Sequence, residues 1–310
     1  MKFKKILVTG GNGMVGRALK EQLPEAVYLL SKDCDLTSYE QTIRTFKFYK
    51  PDCVIHLAAR VGGVLANQNF IGDFYRDKIL MNTNVLEASR VLEVNKLVSM
   101  LSTCIYPDEC SYPLTPDQLH AGPPHFSNYG YAHAKRMLEV QTRAYRDQYS
   151  CNFISAIPNN LFGRFDNFHY HDSHVIPAMI RKIYDAREKS HDVVLWGTGS
   201  PLREFTYADD LAKIIIFLLE NYDEEIPINV GNTSEVSIKQ LAETIAEIMN
   251  FQGKIVWDHV RPNGQLRKPT DNSQLLRIGW KKEDYSDFYS SLQTTCNWFE
   301  KNYPNVRGVK

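Results

Sequence analysis

Residues 5–16 read KILVTGGNGMVG. The apolar run KILV (5–8) gives way to glycines at 10, 13 and 16, and a helix-like pattern follows from Arg17 to Leu23. A strand, a glycine turn and a helix in that order let the backbone turn tightly and approach a ligand closely. A pyrophosphate can then sit over the helix N-terminus. The same kind of alternation continues. Apolar runs at AVYLL (26–30), CVIHLAA (53–59) and KLVSML (96–101) are separated by helical patterns such as DKILMNTNVLEASRVLEV (77–94). This predicts an α/β fold: a Rossmann-type, doubly wound parallel sheet with helices on both faces, binding its ligand beyond the carboxyl ends of the strands.

Composition narrows the partner. The chain has 310 residues, with 36 Lys and Arg against 36 Asp and Glu and no long basic block, so nothing argues for nucleic acid. A small molecule fits better. The N-terminal lysines begin like a signal peptide, but the apolar run stops at the glycine turn, and no later run is long enough to span a membrane. Cysteines at 34, 53, 104, 110, 151 and 296 lack both metal-type spacing and the density of a disulfide framework. Reduced thiols in a cytoplasm, with no metal, are expected.

After AVYLL comes SKDCDLTS, where such a fold meets the adenosine ribose. A lone acid there, such as Asp35, suits the 2′-hydroxyl of NAD, whereas Ser31 and Lys32 suit a 2′-phosphate and favour NADPH.

Farther along, SNYGYAHAKRMLEVQTRAYRDQY (127–149) is an amphipathic helix with Tyr131 and Lys135 four residues apart, hence on one face. An ammonium beside a phenol stabilises the phenolate and makes the tyrosine a usable acid. The stretch LSTCIYP (101–107) places Ser102 and Cys104 at the end of an apolar run. If the chain stays extended there, both side chains face one pocket.

Taken together, the glycine turn, the strand-end serine and the YxxxK pair resemble the short-chain dehydrogenase/reductase superfamily, of the extended kind acting on nucleotide sugars. STCIYP, NYGYAHAKRM, NNLFGRFDNF, SHVIPAMI, VVLWGTGSPLREF and INVGN resemble the GDP-L-fucose synthase family over nearly the whole chain. The resemblance implies an NADPH-dependent enzyme that epimerises C3 and C5 of GDP-4-keto-6-deoxy-D-mannose and then reduces C4. Ser102 would hydrogen-bond the substrate oxygen and Tyr131 would exchange the proton. Lys135 would hold the nicotinamide ribose, while Cys104 and His174 would serve as base and acid. It also implies Gly10, Gly13, Met14 and Gly16, with Lys32, Asp35, Leu36 and Ala58, at the cofactor. Asn160, Lys182, Trp196, Arg203 and Lys268 would lie at the GDP-sugar. The family's PTN and Gly-Pro read Pro158-Asn159-Asn160 and Gly163-Arg164 here, at the pocket's expected edge. Where dehydratase relatives carry an acidic pair this chain has Cys104 and Ile105, so dehydration is disfavoured.

Domain organisation is expected as a cofactor domain from 1–163 and 202–226 and a discontinuous α/β substrate lobe from 164–201 and 227–310. Relatives commonly form homodimers through the helices of 77–94 and 129–148. Two other readings are a C4 reductase of another GDP-linked 4-keto sugar, such as a dideoxyhexose or deoxyheptose, and a non-catalytic NADPH-binding regulator. Intact Ser102, Tyr131 and Lys135 argue against the last.

Overall fold

The computed structural model describes residues 2–59, 70–261 and 265–309. The opening stretch forms strand β1 (Ile6–Thr9) and helix α1 (Met14–Gln22), with the glycines between them. There follow β2 (Val27–Leu29), α2 (Tyr39–Tyr49), β3 (Cys53–His56), α3 (Ile71–Val91), β4 (Lys96–Met100), α4 (Tyr129–Tyr149) and β5 (Phe153–Pro158). With β9 (Ile228–Val230) these strands make a six-stranded sheet in the order β2-β1-β3-β4-β5-β9. Every pairing in it is parallel, as the alternating pattern predicts.

Neighbouring residues of each strand enter opposite cores, as the two-residue period of a strand requires. Val8, Ile55 and Val98 pack under α1 and α6 (Ala208–Asn221), while Leu7, Val54 and Leu97 pack under α2, α3 and α4. The order of strands reverses between β1 and β3. A crevice opens there, beyond the carboxyl ends of the strands.

The second lobe has its own core, built from α5 (Val175–Glu188), α7 (Ile238–Ile248) and α8 (Phe288–Asn302). Two small sheets accompany them. One is β6 (Asn160–Phe162), β8 (Leu202–Tyr207) and β10 (Glu235–Ser237) in the order β10-β8-β6; the other pairs β7 (Val193–Trp196) with β11 (Ile255–Asp258).

Two expected placements shift. The segment EFTY, expected to return to the cofactor domain at 202, ends strand β8 of the smaller sheet, and only α6 goes back. INV (228–230), expected in the smaller lobe, is the edge strand of the central sheet. There Ile228 and Val230 bury their side chains with Leu275 and Trp280 in the first core. Short apolar runs fit either sheet equally well, so periodicity alone does not assign them.

Candidate active site

The crevice is a cavity of about 1290 Å³ bounded by both lobes. Its floor is the glycine turn. Gly10 has φ +75, and a Cβ there would stand 2.8 Å from the Ala58 nitrogen. At Gly16 a Cβ would stand 2.5 Å from the Gly10 carbonyl oxygen, so β1 and α1 pack at a distance only glycine allows. Gly13 caps α1 without a side-chain hydrogen bond, which leaves first-turn N–H groups for an anion.

Beneath the turn lies a polar brace that the sequence reading did not single out. His56, wholly buried, is joined through Nδ1 to Thr9 Oγ1 at 2.8 Å and through Nε2 to Asn82 Oδ1 at 3.0 Å. Thr9 Oγ1 in turn accepts from the Ala58 nitrogen at 3.2 Å. Burial pushes the imidazole down to about 4, so it stays neutral and fixes β1, β3 and α3 relative to one another. The visible signal was a histidine inside the apolar run CVIHLAA.

Gly10, Gly13, Met14, Gly16, Asp35, Leu36 and Ala58 all line the cavity. Asp35 is already engaged: its Oδ1 accepts from the nitrogen and the hydroxyl of Thr37 at 3.0 and 2.7 Å. Lys32 is exposed and lies outside the lining, where Ser31 stands instead.

Ser102, Cys104, Tyr131, Lys135 and His174 line this same cavity. The chain does not stay extended after β4. Ser102 begins a 3₁₀ turn over Thr103–Ile105, and its Oγ accepts from the Cys104 nitrogen at 3.4 Å. The turn, not strand alternation, brings hydroxyl and thiol to one pocket.

Lys135 is buried and donates from Nζ to the Met100 carbonyl oxygen at 2.5 Å. Burial pushes its ammonium down to about 8. The Tyr131 phenol is pushed up, first by burial and then by the neighbouring Cys104, while a hydrogen bond with Ser102 pulls it down. The expected lowering by Lys135 is therefore not what dominates in the protein alone.

His174 occupies the N-cap position of α5. Behind it, Asp166 is only 6% exposed, and its Oδ2 has no hydrogen-bond partner among the described residues. Burial pushes this carboxyl up to about 6 against the pull of His174, the Asn167 amide and Arg307.

Of the expected sugar-site residues, Asn160 and Arg203 line the cavity. Asn160 donates to the Glu204 carbonyl at 2.9 Å, and Arg203 donates to the Leu202 and Gln265 carbonyls at 2.7 and 2.6 Å. Lys182 and Trp196 are not in that lining and form a group of their own, with Nζ 5.2 Å from the ring centroid and Arg261 at 5.1 Å. Lys268 lies outside the lining as well. Asn159 is buried against the Glu204 carboxylate at 3.2 Å. Arg164 does not border the cavity: it pairs with Glu21 at 2.6 Å and Asp209 at 2.9 Å, which moves that departure away from the expected edge.

Comparison with known proteins supplies the family. Residues 6–231 match the NAD dependent epimerase/dehydratase family. A GDP-L-fucose synthase from Dictyostelium discoideum is 42% identical over 98% of this chain and 98% of its own. The chain belongs to the GDP-L-fucose synthase branch of that family. The crystal structure of a GDP-L-fucose synthetase from Naegleria fowleri bound to NADP superposes with a TM-score of 0.92 at 39% identity, covering 98% of this chain and 96% of that one. A GDP-L-colitose synthase from Yersinia pseudotuberculosis is 36% identical over 96% of this chain and 99% of its own. The span matched to the epimerase/dehydratase family holds the glycine turn and all five candidate catalytic residues. The wall formed by Trp298, Asn302 and Arg307 lies beyond it. None of the described helices is long and apolar enough to cross a membrane.

Proposed function

We propose that this protein is an NADPH-dependent epimerase-reductase that converts GDP-4-keto-6-deoxy-D-mannose to GDP-L-fucose. The observation that carries the reading is the gathering of Ser102, Cys104, Tyr131, Lys135 and His174 around the cavity floored by the glycine turn. A reductase needs the hydroxyls and the lysine. A thiol and an imidazole are what an epimerase adds.

The glycine turn and the uncapped start of α1 fit a dinucleotide diphosphate, and Lys135 with Tyr131 would hold the nicotinamide ribose. NADPH, when bound, supplies the hydride for C4. Ser102 and Tyr131 present hydroxyls to the ketone oxygen, and Tyr131 gives that oxygen its proton as reduction proceeds. Inversion at C3 and C5 needs a proton removed on one face and returned on the other. Cys104 and His174 suit that division because they come from different elements, the turn after β4 and the start of α5. Arg203 would meet the diphosphate and Asn160 the sugar, and Lys182, Trp196 and Lys268, outside the cavity lining, would extend the GDP site.

A homodimer is part of the reading. Ile71, Tyr75, Leu80, Tyr129, Met137 and Val140 leave an exposed apolar face on α3 and α4, suited to a second copy. We place the enzyme in the cytoplasm.

A second reading is a C4 reductase of another GDP-linked 4-keto sugar, favoured by the likeness to the GDP-L-colitose synthase. Purified protein, NADPH and a panel of GDP-4-keto sugars separate the two, with nicotinamide absorbance and product NMR as readouts. The expected result is reduction of the 6-deoxymannose ketone, lost in Tyr131→Phe. Turnover of only a dideoxyhexose or heptose precursor replaces the substrate, and turnover of none returns the chain to a regulator.

A further inference from the structure

The mechanism leaves unused a buried cation that lies against the site. Lys78 lies within α3, only 1% exposed, in a helix whose other charged side chains mostly reach solvent. Its Nζ sits 4.5 Å from the ring centroid of Phe74 and 4.6 Å from that of Tyr131. Both distances fall within the range of a cation–π contact, which is strongest where water is excluded. One of the two rings is the proposed proton donor.

We propose that Lys78 is a positioning residue for Tyr131: held over the face of the phenol ring, its ammonium fixes the ring and stabilises the phenolate that forms when C4 is reduced. The proposal rests on the proposed role of Tyr131. A phenolate ring is richer in electrons than a phenol ring, so a cation on its face is held more tightly after the proton has left. That difference makes Tyr131 a stronger acid. The surroundings call for such a group, because burial and Cys104 both hold the phenol up. Ser102 and Cys104 act on the Tyr131 phenol from the end of β4, Lys135 follows one turn along α4, and Lys78 reaches the ring from α3, next in sequence to Asp77, which lines the same cavity. The Lys135 ammonium donates to Met100, and the Asp77 carboxylate pairs with Arg76 at 2.8 Å. Lys78 rests directly on the ring.

The test compares Lys78→Gln, which removes the charge, with Lys78→Arg, which keeps it. With NADPH and the GDP-4-keto sugar, Lys78→Gln is expected to lower kcat for C4 reduction about tenfold, with the sugar KM changed by less than about twofold. The alkaline limb of its kcat profile moves to higher pH, because the donor is a weaker acid. Solvent exchange at C3 and C5 persists, and Lys78→Arg restores both rate and limb. A second readout needs no substrate. The ¹³Cζ resonance of Tyr131, identified by its absence in Tyr131→Phe, shifts at neutral pH in Lys78→Gln and stays near its position in Lys78→Arg. An unchanged resonance, an unmoved limb, or two variants equally slow and equally less stable to heat overturns the proposal in favour of a packing role. If wild type reduces no GDP-4-keto sugar, the functional reading fails, while the resonance still decides whether Lys78 acts on Tyr131.

Discussion

The ammonium of Lys135 and the carbonyl oxygen of Met100 are 2.5 Å apart, so the helix bearing Tyr131 is tied to the last residue of the strand that leads into Ser102. The bond registers two halves of the site against each other. It also holds a charge where water does not reach.

That charge costs stability. Burial brings Lys135 from 10.5 to about 8, so between these values the unfolded chain binds more protons than the folded one, and stability rises with pH. Lys135→Met is expected to be more stable than wild type at pH 7 by about 1–3 kcal/mol, a gap that narrows towards pH ~10. Reduction is lost in the same variant. Denaturant titrations across that window, beside NADPH oxidation, check both parts.

Cys104 divides epimerase from plain reductase. In deuterated water the wild-type product is expected to carry deuterium at C3 and C5. Cys104→Ser keeps the shape but offers a far weaker acid, so it loses the label and reduces the unepimerised ketone slowly. His174→Gln blocks inversion yet retains some exchange, because the base remains. A wild-type product without solvent deuterium would reduce both residues to pocket lining.

Asp166 makes the protein's stability fall with pH over a different window. Its carboxyl rises from 3.8 to about 6 on folding, so its contribution is fully present below the lower value and is lost as pH climbs through the higher one. Relative to Asp166→Asn, wild type is expected to lose up to about 3 kcal/mol between pH ~4 and pH ~7. Melting temperatures of the two proteins across that range test the sign.

Lys96 supports the central sheet from behind. Only 1% exposed, it donates to the carbonyls of Leu218, Leu219 and Tyr222 at 3.0, 2.9 and 2.6 Å and pairs with Asp223 at 2.8 Å, closing the C-terminus of α6. Lys96→Met removes all of these bonds, leaving the Leu218 carbonyl only the Tyr222 amide, and is expected to cost about 3–5 kcal/mol in denaturant unfolding, with kcat of the folded enzyme unchanged.

Much of this was legible in the sequence because it depends on local pattern. The glycine spacing fixed the turn, the alternation gave the parallel sheet, and four-residue spacing put Tyr131 and Lys135 on one face. What was not legible depends on which surfaces meet. Nothing in EFTY or INV tells one sheet from another, so β8 and β9 exchanged lobes. Ser102 turns the chain by capping it with its own hydroxyl, which strand periodicity does not anticipate. Lys32 reads as a phosphate ligand by position and stands exposed beside Ser31, while Lys78 reads as one more charge on an amphipathic helix yet lies against two rings. Arg164 found two carboxylates from distant segments.

The cavity takes its floor from residues 10–17 and part of its wall from Asn302, Asn305, Val306 and Arg307, and the Phe168 nitrogen donates to the Arg307 carbonyl at 2.8 Å. During translation, then, the cofactor cradle emerges well before residues 302–307, and its enclosure cannot close until they follow. A nascent chain arrested before residue 302 would hold the glycine turn without that wall. Closure of the cradle is therefore a long-range event, made only once both segments have been synthesised.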